Sequence, residues 1–217
     1  MGNELAVLIP AYNEEPRLGA VLEVVCAYHR KPRILVIDDG SEDQTRGVAE
    51  QYPVEVIGFD QNRGKGAALQ AGLKHIGETD YYMFLDADLI GLTEKHMDSL
   101  VQPLEENPQA GMTVGVFRGG RNITDLAHKY FGILNGQRVL SRGFVQKLPD
   151  LSWSRFGVEI LMSKFAETYK IPVLNPWLQG LTHYTKEDKF GFRRGVSYRL
   201  QMYNECLYSL FNWKKHL

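Results

Sequence analysis

Cysteine is almost absent: Cys26 and Cys206 are the only two in 217 residues. They stand far apart and lack metal-ligand spacing, so no disulfide framework is expected, which fits a reducing compartment. Cys26, among Val24, Val25 and Ala27, reads as a small buried hydrophobe rather than a functional thiol. Long apolar runs are missing too, and none reaches the roughly 18 residues of a membrane-spanning helix. No basic region leading into a long apolar stretch opens the sequence, because Pro10 and Asn13 follow the short run Leu5–Ile9 at once. A secretory signal is therefore not expected. Nor does one sign of charge dominate: 25 Lys and Arg face 26 Asp and Glu, a formal net charge of −1. Without a global basic field, nucleic acid is not an expected partner. Two phosphate-binding signatures are also lacking. Gly64, Gly66 and Leu69 fail to complete G-x-G-x-x-G and follow the third strand-like run instead of the first, and G-x-x-x-x-G-K-[ST] occurs nowhere. A Rossmann dinucleotide site is disfavoured and a P-loop NTPase excluded.

What is present is an ordinary globular composition, 44% apolar and 24% charged, in a length that favours one domain. Short apolar runs alternate with helical stripes. Strands are expected at Leu5–Ile9, Ile34–Ile37, Val54–Ile57 and Tyr81–Leu85. Helices are expected from Pro16 to His29, from an N-cap at Ser41 or Asp43 to Gln51, over Lys65–Ile76 and near Thr93–Glu106. This rhythm predicts an α/β fold with a doubly wound, mostly parallel sheet. After Gly111 it loosens into a strand over Met112–Phe117, a helix over Phe156–Tyr169 and a short strand at Ile171–Leu174. A single domain over 1–185 and a basic, aromatic, helical C-terminal extension over 186–217 are expected.

In such sheets ligands bind beyond the carboxyl ends of the strands. Polar residues gather there: Asn13-Glu14, Asp38-Asp39-Gly40, Asn62-Arg-Gly-Lys65, and Asp86 with Asp88. Asp86 and Asp88 flank the small Ala87, and residues two apart in extended chain face one way. A carboxylate pair behind a buried strand needs positive charge, and a hard divalent cation such as Mg²⁺ or Mn²⁺ suits it. The plainer reading is a surface turn, which the preceding strand Tyr81–Leu85 opposes. Lys65 precedes a helix in a glycine-bearing turn, so it reads either as a diphosphate ligand at a helix N-terminus or as a solvated lysine. Of Asp38 and Asp39, one is expected to cap the next turn, while Asp39 is the candidate for a nucleobase edge and Asp38 for ribose or loop support.

Pro10-Ala-Tyr-Asn-Glu14, Ile37-Asp-Asp-Gly-Ser41, Asn62-Arg-Gly-Lys-Gly66 and Leu85-Asp-Ala-Asp88 resemble, in order and spacing, the family 2 glycosyltransferases. The likeness runs over about residues 4 to 185 and leans to the dolichyl-phosphate mannose synthase-like branch and to glucosyl-3-phosphoglycerate synthase. It implies a GT-A fold. It also implies that Pro10, Ala11, Tyr12, Glu14, Asp39, Lys65, Asp86 and Ala87 bind a nucleotide-diphosphate sugar, and that Asp86 and Asp88 hold Mg²⁺ or Mn²⁺. Leu134–Arg142 resembles the segment lying over the donor sugar in those relatives, with Asn135 in place of the usual Ser. Gly136, Gln137 and Arg138 are thereby candidate sugar or acceptor contacts. Phe156-Gly-Val-Glu-Ile160 resembles a segment of the phosphoglycerate-type relative, making Glu159, with Asp88, a candidate catalytic group. Glu159 reads equally as a first-turn glutamate favoured by the helix dipole. His183 is implied as a third metal ligand, against the plainer reading of a structural histidine.

The expected activity is transfer of a hexose from a UDP- or GDP-linked sugar to a lipid phosphate, such as a polyprenyl phosphate, or to a hydroxyl acceptor. A sugar nucleotidyltransferase is one alternative, although Pro10-Ala-Tyr-Asn stands where its glycine- and arginine-bearing loop belongs. A non-catalytic nucleotide-sugar module is the other. Lys186, Lys189, Arg193, Arg194, Arg199, Lys214 and Lys215, interleaved with aromatics, fit an anionic membrane surface, a core covering or a homodimer contact. A cytoplasmic protein, peripheral at the inner membrane face, is the expected location.

Overall fold

In the computed structural model, which describes residues 4–118, 135–184 and 203–216, the first half of the chain forms an unbroken succession of strands and helices. Strand β1 (Leu5–Ala11) leads into α1 (Glu15–Ala27), with Pro16 in the first turn, where its missing N–H costs nothing. β2 (Arg33–Asp38), the short α2 (Thr45–Ala49) and β3 (Glu55–Gly58) follow. Next come α3 (Lys65–Ile76), β4 (Tyr81–Phe84), the short β5 (Leu89–Ile90) and α4 (Glu94–Glu106). α4 opens on a capping box in which Thr93 and His96 satisfy each other's backbone N–H groups.

The second half is made of shorter pieces. These are β6 (Met112–Val114), β7 (Val116–Arg118), β8 (Arg138–Ser141), α5 (Arg142–Val145) and a 3-10 segment, Ser152–Gly157. α6 (Val158–Thr168), β9 (Val173–Leu174), β10 (Trp177–Gln179) and β11 (Thr182–His183) complete it. Residues 203–212 are helical and end in a 3-10 turn, Trp213–His216, so the described part of the C-terminal extension is helical as expected. Its basic residues Lys186, Lys189, Arg193, Arg194 and Arg199 lie outside the described residues.

The main sheet has seven strands in the order β3-β2-β1-β4-β8-β6-β9. All pairings are parallel except those of β8, which runs antiparallel between β4 and β6. Alternation along β1 sends Val7 and Ile9 to one face, against Leu18, Val21 and Leu22 of α1 and Leu100 of α4. Ala6 and Leu8 go to the other face, against Leu69 and Leu73 of α3 and Leu161 and Phe165 of α6. The sheet is thus covered on both sides, as a parallel sheet requires.

Three expectations need correction, and β8 has to be added to them. The strand over Met112–Phe117 is two strands: at Gly115 the chain leaves the main sheet, its N–H bonding to Gln137 O at 2.9 Å, and β7 pairs with β10 instead. α2 begins at Thr45, because Asp43 Oδ1 accepts from Thr45 N (2.9 Å) while Ser41 Oγ is spent on Asn13 N (3.0 Å). α6 begins at Val158, because Arg155 breaks the preceding turn with φ 47 and ψ −118. β8 was not foreseen: Asn135-Gly136 marks a turn, but the run after it is short and opens on an arginine, so it shows no strand pattern of its own.

Candidate active site

The rim beyond β1, β2 and β4 is where the polar loops converge. Asp38 Oδ1 accepts from Ser41 N at 3.0 Å, closing the Asx turn. The neighbouring Asp39 is buried and anchors the loop before α3: its carboxylate accepts from Arg63 N (2.8 Å), Gly64 N (2.8 Å) and Asn62 Nδ2 (2.9 Å). Burial pushes its pKa up, against these two amides and the nearby Arg155 charge. A carboxylate offers about four acceptor positions, so one remains on Oδ1 beyond the Arg63 amide. Pro10 and Ala11 end β1 at this rim. Glu14 is buried beside it, with its N–H on Thr45 Oγ1 (2.7 Å) and its carboxylate on Arg17 Nη1 (3.2 Å).

Lys65, the first residue of α3, joins both halves of the molecule. Its Nζ lies 2.6 Å from Asp86 Oδ1 and 2.6 Å from Glu159 Oε1. Glu159 is itself buried in the first turn of α6. Burial alone would push the Lys65 ammonium down, but the two carboxylates outweigh it and hold its pKa above the ordinary lysine value. Asp86 is pinned again from β8: its Oδ2 accepts from Gln137 Nε2 (2.9 Å) and its N–H donates to Gln137 Oε1 (3.2 Å). Gly136 is required by this arrangement. A Cβ there would stand 2.5 Å from Asp86 Oδ2 and 2.6 Å from Lys65 Nζ.

Gln137 and Arg138 were expected to touch sugar or acceptor, and their burial argues for a different place. Both lie under the rim, Arg138 with no exposed surface. Arg138 Nε donates to Asn135 O (2.8 Å), and its Nη1 to Glu159 O (3.1 Å) and Ser163 Oγ (3.2 Å). Burial lowers its pKa to about 10, while Glu159 and Asp86 act in the opposite sense. At neutral pH it remains a cation behind two carboxylates. Asn135 shapes the turn into β8, accepting from Gln137 N and donating to Gly115 O. Nothing in the sequence marked this structural role, because β8 itself was hidden.

Asp88 is buried immediately before β5, and β11 pairs antiparallel with β5, setting His183 opposite Leu89. The carboxylate and the imidazole therefore come from adjoining positions. Among the described residues, no three His, Cys, Asp or Glu side chains are grouped so that they could hold a metal ion. Charge arithmetic still favours a cation here. Asp86, Asp88 and Glu159 outnumber Lys65 and Arg138, and hard oxygen donors with one imidazole suit Mg²⁺ or Mn²⁺. Asp86 is engaged with Lys65 and Gln137, Asp88 is buried, and His183 is exposed with its ring 5.7 Å from that of Phe117.

A parallel sheet with one antiparallel strand, carrying its carboxylates and lysine on one rim, defines a GT-A fold. The family model for glycosyl transferase family 2 matches residues 6–166, and the chain belongs to that family. The human dolichyl-phosphate beta-glucosyltransferase is 37% identical over 86 residues, which is 32% of this chain and 26% of that protein. This chain thus matches about a quarter of that relative's length. The fold is that of glucosyl-3-phosphoglycerate synthase from Mycobacterium tuberculosis. Its complex with Mn²⁺, UDP-glucose and phosphoglyceric acid gives a TM-score of 0.80 at 23% identity, covering 98% of this chain and 80% of that one. The complex of the same enzyme with Mg²⁺ and UDP gives 0.71 at 23% identity over 93% and 79%.

Proposed function

We propose that the protein transfers glucose from a UDP-linked donor to a lipid phosphate acceptor. The observation that carries this is the Lys65 ammonium, held between Asp86 and Glu159 at the N-terminus of α3. A diphosphate entering this rim meets a fixed cation and the unpaired N–H groups of a helix end, both arranged before the reaction. Asp39 Oδ1 keeps one acceptor position for an imide N–H of the base, and Tyr12 and Glu14, in the neighbouring loop after β1, would meet the same nucleoside. Asp88 and His183 would hold Mg²⁺ or Mn²⁺, which when bound stabilises negative charge on the departing nucleoside diphosphate. Gln137 fixes the rotamer of Asp86, so Lys65 is not free to follow the leaving group.

A phosphate acceptor is largely ionised near neutral pH and needs little base. The name of the human relative favours this acceptor. The burial of Glu159 within reach of Lys65 favours a second reading, a hydroxyl acceptor oriented by that carboxylate. No helix among the described residues is long and apolar enough to cross a membrane. Helix 203–212 instead exposes Tyr203, Leu207, Leu210 and Phe211, followed by Lys214 and Lys215, which supports contact with an anionic bilayer surface.

The test is nucleotide release by purified protein incubated with UDP-glucose or GDP-mannose, Mn²⁺, and either a polyprenyl phosphate or 3-phosphoglycerate. UDP release that depends on the lipid phosphate and survives Glu159→Gln supports the first reading. Release that needs 3-phosphoglycerate and collapses in Glu159→Gln selects the second. Formation of UTP and glucose 1-phosphate from UDP-glucose when pyrophosphate replaces the acceptor would identify a nucleotidyltransferase. In the same assay His183→Ala should shift the Mn²⁺ titration to higher concentration, and an unchanged titration removes His183 from the metal site.

A further inference from the structure

Arg155 is a non-glycine residue with φ 47 and ψ −118, a conformation that L side chains rarely adopt. Such strain persists only where surrounding contacts over-determine it. Here they do so from both sides. Arg155 Nε donates to Glu205 Oε1 (3.0 Å), and its Nη2 donates to Asn62 Oδ1 (3.3 Å). The second carboxylate oxygen of Glu205 accepts from the next amide, Phe156 N (3.4 Å). Asn62 passes the connection on, donating from Nδ2 to Asp39 Oδ2. The Arg155 Cβ and Cγ also lie so close to Gly64 that a Cβ there would meet them at 3.0 Å. Gly64 has φ 91 and gives its own N–H to Asp39. One strained arginine thus touches two residues of the loop that holds Asp39, and it is fastened from the far side by the C-terminal helix.

We propose that Arg155 and Glu205 are positioning residues for the donor nucleotide, with the C-terminal helix clamping the Asn62–Gly64 loop and through it Asp39. The proposal rests on the reading of Asp39 as the residue that meets the base. Without the clamp, Asn62 can turn away from Asp39 and the loop before α3 loses its fixed distance from β2. Donor affinity then falls, although neither residue touches the donor. Strain gives the idea a signature that ordinary packing lacks. A glycine adopts this backbone readily, so Arg155→Gly removes the strain and the clamp together.

The experiment is calorimetric titration of full-length protein with UDP-glucose, and in parallel GDP-mannose, in the presence of Mn²⁺. It is run on wild type, Arg155→Gly, Glu205→Ala, Asn62→Ala and the Arg155→Gly/Glu205→Ala pair, with thermal melts of each. Arg155→Gly should weaken donor binding about tenfold, the scale of a lost charge-assisted hydrogen bond, while its Tm stays at or above wild type. Glu205→Ala and Asn62→Ala should weaken binding in the same direction, and the double variant should be no weaker than Arg155→Gly alone, because all act through one connection. Unchanged donor affinity in Arg155→Gly and Glu205→Ala, with only Tm moving, overturns the proposal and leaves the donor reading intact. A wild-type chain that binds neither sugar nucleotide defeats the donor reading and this proposal with it.

Discussion

The two halves of the molecule bring charge to the rim by opposite routes. In the first half Asp39, Asp86 and Asp88 sit in the loops after parallel strands and Lys65 opens the helix after β3, all on the rim where ligands of such sheets bind. In the second half Arg138 comes from an antiparallel strand buried within the sheet, Gln137 from the residue before it, and Glu159 from the first turn of a helix behind a 3-10 segment. These approach the same point from beneath. The difference teaches that the first half supplies groups able to meet a substrate, and the second half supplies the amide and the countercharge that hold them still.

Lys65 is the residue through which both halves communicate, so its loss should have the largest effect. Lys65→Met leaves Asp86 and Glu159 facing one another with no ammonium between them. We expect turnover to fall about 10²–10³-fold, the scale of losing one preorganised charge-stabilising donor. We expect stability to fall by about 3–5 kcal/mol, as when one partner of a buried pair is removed. The pH dependence has a definite sign. The folded pKa of Lys65 is raised, so its stabilisation is complete below the ordinary lysine value near ~10.4 and fades only above it. Wild type should therefore show no Lys65-linked loss of stability between about pH 5 and 9. In Lys65→Met the deficit should shrink toward acid pH, where the two carboxylates can take up protons. Urea melts of both proteins at several pH values check this, and a pH-independent deficit would show that the carboxylates do not oppose each other.

Gly136→Ala attacks the same junction by volume alone. Its Cβ would fall within 2.6 Å of both Asp86 oxygens and of Lys65 Nζ. These are side-chain ends that can move, so we expect a loss of about 1–3 kcal/mol from overpacking. Turnover should drop about tenfold as the Lys65–Asp86 distance opens, the scale at which roughly 1 Å of misplacement is felt in catalysis. Comparison of kcat with Tm separates the two effects. Equal kcat in a destabilised variant would show that the ion pair relaxes without functional cost.

How far the sequence revealed this arrangement follows the same division. Apart from the two-residue β5 and the start of α2, the strands and helices up to α4 were legible because apolar β-branched runs and helical stripes repeat there with clean punctuation, such as Pro16 and Gly64. The rim residues were legible because strand-end loops are local in sequence. β8 was not: Arg138-Val-Leu-Ser141 has an arginine at its first position, and only the tertiary structure shows that Asn135 O, Glu159 O and Ser163 Oγ satisfy it. The helix start at Val158 was equally hidden, because no residue type announces a positive φ at an arginine. The pairing of His183 with Leu89 depends on a long-range antiparallel contact that no local pattern encodes.

Arg138 tests whether the second half acts by charge or by packing. Arg138→Met keeps most of the volume but leaves the Asn135 carbonyl and Ser163 Oγ without the arginine donor, while Ser163 Oγ still donates to the Glu159 carbonyl, and it removes the cation behind Asp86 and Glu159. We expect a loss of about 1–3 kcal/mol, the cost of buried acceptors left unsatisfied, with a fall in kcat. A neutral or stabilising result, as replacement of buried charge sometimes gives, would show that the countercharge is dispensable and that β8 serves only to present Gln137.

The smallest effect is expected where the first half carries charge away from the rim. Glu55, on β3 at the sheet edge, accepts from Arg33 Nε (2.5 Å) and Nη2 (2.9 Å) and meets His75 Nε2 at 2.8 Å. Arg33 first, and then His75, lower its pKa to about 2. The sign is the reverse of that for Lys65. A depressed carboxylate stabilises above its unfolded value near ~4.3, and that contribution is lost as pH falls toward the folded value. The group is half-exposed, so solvent and salt screen it, and Glu55→Gln should cost no more than about 1 kcal/mol at pH 7. The difference should vanish near about pH 2 and shrink in high salt, with donor affinity unchanged throughout. Urea melts at pH 7 and at low pH measure it. A cost as large as that of Lys65→Met would break the comparison, because it would mean that ion pairing as such, and not burial between the two halves, sets the worth of a charge in this fold.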